Sequence, residues 1–303
     1  MPKPSQDRDT YEQLRTEKHW ADMRRLGMIL VYAILIFYSI LTLIPFLWLA
    51  AGSIKTNADY FNYIFLPRGD GLFGVAWDRL TLKNFISLFT TLDFGNYIMN
   101  SIFLASVTSL LGTFFAALGG FALSKYSFPG RGVITALVLS AIIIPAPLLI
   151  APVYELLYRI GLLNTYAGLI LPAMGPAFGI FLFRQAMLNS VPVAMLDAAR
   201  IDGCGEFRIF FVVVLPIVRP MVGAFMLITF LMTWNNFIGP QVILQSPEKF
   251  PLAVAIAQLR GIYTTEYGMI SAGTLVSIAP IMVIFLLLQK EFISGLTSGA
   301  VKG

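Results

Sequence analysis

The sequence predicts an all-α integral membrane protein with six transmembrane helices and both termini in the cytoplasm. Its 303 residues are 57% hydrophobic and only 12% charged, whereas soluble domains carry about 25% charged residues. Six apolar runs contain no charged residue and no histidine, and each has about the 20 residues needed to cross a bilayer. Lysine and arginine are concentrated on one side of these runs, which predicts their orientation.

The number of spans depends on where each apolar run begins and ends. In chain order the runs are Met28–Ala51, Met99–Leu123, Val133–Tyr154, Tyr166–Phe183, Met221–Ile243 and Met269–Gln289. Apolar sequence also precedes the fifth run and begins at Ile209. The whole stretch Ile209–Leu244 is too long for one span. Pro216 and Arg219 divide this stretch. We therefore place Ile209–Leu215 in the preceding loop and begin the fifth span near Met221.

Orientation follows from the positions of the 21 lysine and arginine residues. One side holds fourteen of them, in residues 1–27, 124–132 and 184–220 and after residue 289. The other side holds seven, in residues 52–98, 155–165 and 244–268. Because cytoplasmic loops near the membrane are enriched in lysine and arginine, the side with fourteen is predicted to be cytoplasmic.

The chain divides into a short extension and one membrane domain. Residues 1–27 are predicted as a cytoplasmic N-terminal extension, part disordered and part helical, in which 11–25 form an amphipathic helix on the membrane surface. Residues 28–303 form the six-span domain. On the outer side, 52–98 is the largest loop, and a short helix is predicted over Leu252–Leu259.

The loop at residues 191–220 is too polar for its surroundings, with three acidic residues and three arginines. Small and apolar residues recur at three- and four-residue spacing from Pro192 to Asp202, which predicts a helix. Gly203 is suited to the left-handed turn that ends such a helix. A second helix is predicted over Glu206–Val214, before Pro216. The loop is therefore expected to fold as helix, glycine turn, helix.

This loop resembles the EAA loop of ABC importer permeases. Three residues separate the triplet Asp197-Ala198-Ala199 from Gly203, and nine more lead to Val213-Val214-Leu215-Pro216. The family pattern has Glu in place of Asp197 and Ile in place of Val213, so both departures keep charge or shape. A pattern of this length with correct spacing is far more specific than a lone short motif.

Other segments resemble the carbohydrate-uptake branch of this family. They are Leu123–Tyr126 with Phe128–Arg131, Gly161-Leu162 with Asn164-Thr165, Phe181–Gln185, Trp234-Asn235 with Phe237 and Pro240, and the tail Phe292–Gly303, which is similar to that of maltose-permease G-type subunits. The resemblance covers about residues 28–303. It implies the transmembrane domain of a type I ABC importer in the bacterial inner membrane. The implied partners are a second, homologous permease in a heterodimer, two ATPase subunits and an external solute-binding protein.

No arrangement of residues predicts an enzyme. The chain lacks the G-x-x-x-x-G-K-[ST] phosphate loop, so ATP and Mg²⁺ are expected on the partner ATPases and no cofactor on this chain. A single Cys204 and a single His19 are too few for a Cys/His metal site, and the scattered basic residues do not predict nucleic-acid binding. Ion-driven carriers usually keep an acid or histidine within the membrane. None of the six runs has one, so the energy for transport is expected to come from another chain.

The resemblance implies that the loop at 191–220 receives force from the ATPases. A helix presented by a membrane domain can lie in a groove on a soluble partner. The predicted coupling residues are Asp197, Ala198, Ala199, Arg200, Asp202, Gly203, Glu206 and Arg208. Spacing alone is equally compatible with a solvated loop that caps two spans.

Four residues are candidates for the substrate pathway. Trp234, Asn235 and Asn236 offer a ring face and amides, which suit the CH faces and hydroxyls of a sugar. Asn100 begins a series of polar residues along the second span. Each has a structural alternative, because tryptophan at a span end is often an interfacial anchor and polar residues within spans often join helices.

The sequence thus predicts the permease subunit of an ATP-driven, binding-protein-dependent importer for a sugar or oligosaccharide. One alternative is an ABC importer permease for another solute, such as glycerophosphodiesters or polyols. The others are an ion-driven secondary carrier and a membrane scaffold that transports nothing. Neighbouring genes for a second permease and a binding protein would exclude the secondary carrier.

Overall fold

The computed structural model describes residues 4–260 and 265–298, with side chains for 23–260, 265–287 and 289. All regular elements in these residues are helical, apart from two isolated antiparallel bridges, Arg68 with Val75 and Arg260 with Thr265. The predicted all-α class is confirmed. The last five residues of the predicted carbohydrate-type tail lie outside the described residues.

The described part of the chain forms the following α-helices. They are α1 (Pro4–Ser53), α2 (Asn57–Tyr60), α3 (Lys83–Thr91), α4 (Phe94–Lys125), α5 (Arg131–Ile143), α6 (Ile150–Arg159), α7 (Tyr166–Ala173), α8 (Ala177–Ser190), α9 (Val193–Ile201), α10 (Glu206–Ile209), α11 (Leu215–Ile217), α12 (Arg219–Trp234), α13 (Ile238–Ile243), α14 (Leu252–Gln258) and α15 (Tyr267–Ser298). A π-helical turn, Phe210–Val214, joins α10 to α11, and short 3-10 turns lie at Leu72–Gly74, Trp77–Arg79, Ala146–Leu149 and Pro247–Lys249.

Four helical segments are long and apolar enough to cross a membrane: Met23–Ser53, Phe94–Lys125, Tyr166–Ser190 and Tyr267–Leu287. Two further helix pairs meet the same test but are sharply bent. The pair Arg131–Ile143 and Ala146–Arg159 is bent by 102°, and the pair Glu206–Ile217 and Arg219–Trp234 by 84°. The described residues therefore hold four candidate spans, or up to six if each bent pair is one span.

The third apolar run, predicted as one span over 133–154, is broken. α5 ends at Ile143, and Ile144 and Pro145 adopt extended backbone before a 3-10 turn leads into α6. A residue that precedes proline is driven out of the helical region by the proline ring. The break therefore falls at Ile144, and this run forms two helices that meet at a steep angle.

The fifth run also differs from its predicted bounds. The helix α12 begins at Arg219 and ends at Trp234 instead of continuing to Ile243. Asn235 and Asn236 end it, and the six residues of α13 form a separate helix. The predicted division before this span is confirmed, because the 84° bend separates Glu206–Ile217 from α12.

The centre of the bundle is α4, which packs against α8 on one side and α12 on another. Glycines allow the backbones of α4 and α8 to approach closely. A Cβ atom on Gly120 of α4 would lie 2.6 Å from the Phe183 Cβ atom of α8, and one on Gly179 of α8 would lie 2.9 Å from the Ala116 Cβ atom of α4. Small residues at such contacts are typical of membrane helices, whose association depends on close van der Waals packing.

The first helix is the most peripheral. α1 runs without interruption through residue 27, the predicted end of the extension. Side chains 23–48 are all exposed, and α1 packs along the bundle mainly through α15. This long apolar surface is left for lipid or for another membrane subunit.

Candidate functional sites

The 191–220 loop folds as helix, glycine turn, helix. α9 ends in the left-handed turn predicted at Gly203, whose φ is +79°. The amide of Gly203 donates to the Arg200 carbonyl at 3.0 Å, and the amide of Cys204 donates to the Ala199 carbonyl at 2.9 Å. These two bonds form the Schellman arrangement that ends helices with a left-handed residue.

The inner face of the 191–220 loop is part of the bundle core. Leu196 on α9 and Ile209, Phe210 and Val214 on the second helix are each at most 1% exposed. They belong to one cluster with Phe121 of α4 and with residues of α8, among them Phe183 and Met187. Full burial of such a side chain contributes roughly 1.5–3 kcal/mol. The loop is therefore fixed to α4 and α8, so a solvated loop that merely caps two spans does not describe it.

Charged side chains of the 191–220 loop bind one another. The Arg200 guanidinium donates to Asp197 at 2.8 Å and to both carboxylate oxygens of Glu206, at 2.8 and 3.3 Å. Tyr126, the residue that follows α4, also donates from its hydroxyl to Glu206. The Arg200 guanidinium lies 6.0 Å from the centre of the Tyr126 ring. This cluster joins α9, α10 and the end of α4, and we call it the Arg200 network (Tyr126, Asp197, Arg200 and Glu206).

The Arg200 network also sets the protonation of its members. The hydrogen bond from Arg200, followed by that from Tyr126, lowers the pKa of Glu206. Burial, followed by the hydrogen bond to Glu206, raises the pKa of Tyr126 to about 12. The hydrogen bond to Glu206 raises the pKa of Arg200. At neutral pH the network therefore holds a carboxylate, a neutral phenol and a guanidinium, the forms that bind one another.

The predicted coupling residues fall into two groups. Asp197, Arg200 and Glu206 are engaged within the chain, and Gly203 shapes the turn. The others lie at the surface as expected for partner contacts: Ala198, Asp202 and Arg208 are exposed and Ala199 is half-buried.

Two surface residues that sequence reasoning did not single out are apolar. Ile201 is 86% exposed and Phe207 is 71% exposed, and they flank the glycine turn. The spacing of Leu196 and Ile201 could have indicated this exposure, because residues five apart on a helix lie about 140° apart around its axis. Ile201 thus falls away from the face of Leu196, the buried residue of α9. Large exposed apolar residues beside a polar cluster are typical of a protein interface.

Two of the four predicted pathway residues have structural roles. Trp234 is 4% exposed, and its ring stacks on Phe230 with centroids 5.8 Å apart. The Asn100 amide is nearly buried and donates to the carbonyls of Glu248 at 2.8 Å and Phe250 at 3.1 Å, so it holds the outer loop to α4. Trp234 is therefore packed in the core instead of standing at an interface, and Asn100 joins its helix to a loop instead of to another span.

The other two pathway residues follow α12 and are exposed. The Asn235 amide donates to the Leu231 carbonyl at 2.8 Å and caps the end of the helix. Asn236 instead lines two neighbouring cavities. The other three predicted pathway residues do not line these two cavities.

The two cavities lie where α4, α7 and the end of α12 meet the broken third run. The smaller has a volume of about 70 Å³ and the larger about 260 Å³. Both are lined by Leu169, Ala173 and Asn236. Thr108 and Thr233 add hydroxyls to the smaller one, and Leu149 and Ile150 extend the larger one along the helix break. The break at Pro145 therefore opens space beside Asn236.

Known sequences match most of the chain. The family model described as "binding-protein-dependent transport system inner membrane component" matches residues 109–291. The chain is 35% identical over 280 residues to the arabinooligosaccharides transport system permease protein AraQ of Bacillus subtilis (strain 168), covering 92% of this chain and 96% of that protein. It is 31% identical over 279 residues to the lactose transport system permease protein LacG of Rhizobium radiobacter, covering 92% and 98%.

Solved structures share the fold. One is a chain of a bacterial ABC transporter involved in the import of the acidic polysaccharide alginate, with a TM-score of 0.73 and 21% identity, covering 88% of this chain and 97% of that one. Another is from a bacterial alginate ABC transporter in complex with an alginate pentasaccharide-bound periplasmic protein, with a TM-score of 0.60 and 17% identity, covering 89% and 95%.

Proposed function

Because this chain belongs to the family of binding-protein-dependent transport system inner membrane components, we propose that it carries a sugar or oligosaccharide across the membrane. It is a multi-pass permease subunit of a binding-protein-dependent importer. The support for a sugar is that relatives over nine-tenths of the chain are named for arabinooligosaccharides and for lactose.

The proposed topology counts each bent helix pair as one span, which gives six spans in residues 28–303 after the extension 1–27. Both termini and the 191–220 loop then lie in the cytoplasm. The distribution of fourteen basic residues against seven supports this orientation. The proposed membrane is the bacterial inner membrane, and the family description, which names an inner membrane component, supports this proposal.

The proposed complex contains a second homologous permease in a heterodimer, two ATPase subunits and an extracytoplasmic solute-binding protein. The exposed apolar side of α1 offers a surface to the second permease. One structural neighbour binds a periplasmic protein, which supports a binding-protein partner here. This chain binds no cofactor in the proposal, and ATP with Mg²⁺ binds to the ATPase subunits.

Force is proposed to pass through the 191–220 loop in three steps. Ile201 and Phe207 dock on the ATPase with Ala198, Asp202 and Arg208 around them. The Arg200 network and the buried face of the loop then move α4 and α8 with it. α4 also lines the smaller cavity through Thr108, about 20 Å along the helix from Phe121. ATP binding can shift the bundle between two states only if it favours one of them, and this rigid connection conveys that preference.

The observation that carries the proposal is the division of the 191–220 loop into a buried inner face and an apolar outer surface. The experiment is co-expression with the neighbouring genes and reconstitution into proteoliposomes. Wild type should take up a neutral oligosaccharide only with ATP and the binding protein. Ile201→Ser with Phe207→Ser should release the ATPase during purification, whereas Ile160→Ser, a comparably exposed position after α6, should not. Retention of the ATPase by the double variant would contradict the docking role.

A further inference from the structure

Many hydroxyl groups on the helices of the bundle are engaged by their own backbone. Thr135 donates to the Arg131 carbonyl at 2.8 Å and Thr274 donates to the Ile270 carbonyl at 2.7 Å. Each bond reaches four residues back along the helix, the usual way for a threonine on a helix to satisfy its hydroxyl. Thr108 and Thr233 are among the hydroxyls that have no hydrogen-bond partner among the described residues, as is Thr113 on the same helix as Thr108.

Thr108 and Thr233 line the smaller cavity, together with Asn236. The Asn236 side-chain oxygen accepts from the Gly239 amide at 3.3 Å, while its NH₂ group has no partner among the described residues. Asn236 also lines the larger cavity. Three polar side chains from α4 and the end of α12 therefore surround one space with hydrogen-bonding capacity that the fold leaves open.

The chemistry of the walls selects among solutes. Of the described residues that line the two cavities, none is charged. A carboxylate or phosphate that left water here would meet no cation, and the transfer of an unpaired charge is strongly unfavourable. Hydroxyl groups can instead exchange water for the threonine hydroxyls and the amide, since each of these groups donates hydrogen bonds and also has acceptor atoms. Apolar walls such as Leu104 and Leu169 suit CH groups.

The volumes agree with a sugar-sized ligand. A water molecule occupies roughly 30 Å³, so the larger cavity of about 260 Å³ has room for a sugar ring. The smaller cavity, of about 70 Å³, has room for a hydroxymethyl group or two water molecules.

We propose that Thr108, Thr233 and Asn236 form a solute subsite within this subunit for an uncharged polyhydroxy compound such as a neutral sugar. Its ring would occupy the larger cavity beside Asn236, and a hydroxymethyl group would reach the two threonines in the smaller one. The inference rests on the proposed function, because the solute reaches the subsite only if the chain is an importer permease. It goes further by assigning direct contacts to this chain. It also excludes acidic sugars of the kind imported by the structural neighbours.

The test uses the complete complex in proteoliposomes, with arabinotriose, lactose and raffinose as neutral probes and trigalacturonate as the acidic probe. Thr108→Val, Thr233→Val and Asn236→Leu should each raise the KM for the transported neutral probe about threefold to tenfold, the equivalent of one hydrogen bond. Thr274→Val is the matched control, because its hydroxyl is engaged by its own helix. Thr233→Ser, which keeps a hydroxyl, should raise the KM less than Thr233→Val.

The possible outcomes separate the two proposals. Co-purification of the partner subunits shows that each variant assembles. An unchanged KM in all three variants, or uptake of trigalacturonate in preference to the neutral probes, would overturn the subsite while the import function stands. Wild-type uptake that proceeds without ATP, or no uptake of any probe, would overturn the proposed function and the subsite with it.

Discussion

The polar side chains of the 191–220 loop and those of the two cavities differ in whether they have hydrogen-bond partners within the chain. In the loop, Asp197, Arg200 and Glu206 bind one another and Tyr126, while Ile201 and Phe207 are exposed. At the cavities, the hydroxyls of Thr108 and Thr233 and the side-chain NH₂ group of Asn236 have no protein partner among the described residues, and the rest of the walls is mainly apolar.

The difference teaches how one bundle can transmit force at one place and bind a solute at another. In the loop, hydrogen bonds among side chains add to the buried apolar face and together hold α9, α10 and the end of α4 in one arrangement. Side chains left without partners can bind and release a passing ligand. α4 connects the two regions, since Phe121 contacts the buried face of the loop and Thr108 lines the smaller cavity.

The largest expected effect comes from two neighbouring phenylalanines that differ in burial. Phe210 is 1% exposed within the core cluster, whereas Phe211 is 49% exposed. Phe210→Ala should lower the free energy of unfolding by about 3–5 kcal/mol, as other buried Phe-to-Ala changes do. It should also detach the loop from α4. Phe211→Ala should cost less than half as much. Thermal unfolding in detergent measures the stability of the two variants, and ATP-dependent uptake measures their activity. Equal losses would show that the loop is not fixed by its buried face.

Two glycines in the turn of the 191–220 loop provide the second comparison. Gly203 has φ of +79°, whereas Gly205 has φ of −71°, and a Cβ atom at either position would meet nothing within 4 Å. Gly203→Val should therefore cost about 1–3 kcal/mol through backbone strain alone, and uptake should fall with ATPase stimulation. Gly205→Ala is the control and should behave as wild type. If Gly203→Val also kept normal uptake and ATPase stimulation, the shape of the turn would not matter for coupling.

The Arg200 network should give a smaller effect that depends on pH. Tyr126→Phe removes one hydrogen bond to Glu206 and should cost about 0.5–1.5 kcal/mol, whereas Tyr158→Phe, at an exposed tyrosine, should cost nothing measurable. The pKa of Glu206 is lowered by folding, so its contribution is present above the unfolded value near 4.3. That contribution is lost as pH falls through the lower folded value. Unfolding curves between pH 3 and 7 should therefore converge for wild type and Glu206→Gln at the acidic end. Curves that stay parallel would assign the network no role.

A single surface pair should have the smallest effect. The Asp197 side chain is 56% exposed and binds only Arg200 within the network. Exposed ion pairs contribute about 0–1 kcal/mol and are screened by salt. Asp197→Asn should thus lower the free energy of unfolding by less than Tyr126→Phe does, and the difference should vanish at high salt. A loss as large as that of Phe210→Ala would mean that this carboxylate holds the loop in place.

The sequence was sufficient for the helical class, the loop architecture and the family, because each leaves a periodic or fixed-spacing signal. Gly203 and the division near Pro216 are local features whose backbone preferences act without tertiary context. The interruption at Pro145 was visible as a proline, yet its 102° angle depends on packing that local sequence does not encode. Trp234 and Asn100 were candidates for the pathway because composition cannot show which side of a helix faces the core. Ile201 and Phe207 were missed for the related reason that apolar residues in a mixed segment are ordinarily assigned to the inside.

The central claim is that the bare apolar surface of the 191–220 loop meets the ATPase. The most direct measurement places benzoylphenylalanine at Phe207 and, separately, at Phe61, which is 72% exposed in the loop after α1, and irradiates the assembled complex. The account predicts an adduct with the ATPase subunit from position 207 and none from position 61. No ATPase adduct from position 207, or equal adducts from both positions, would contradict it.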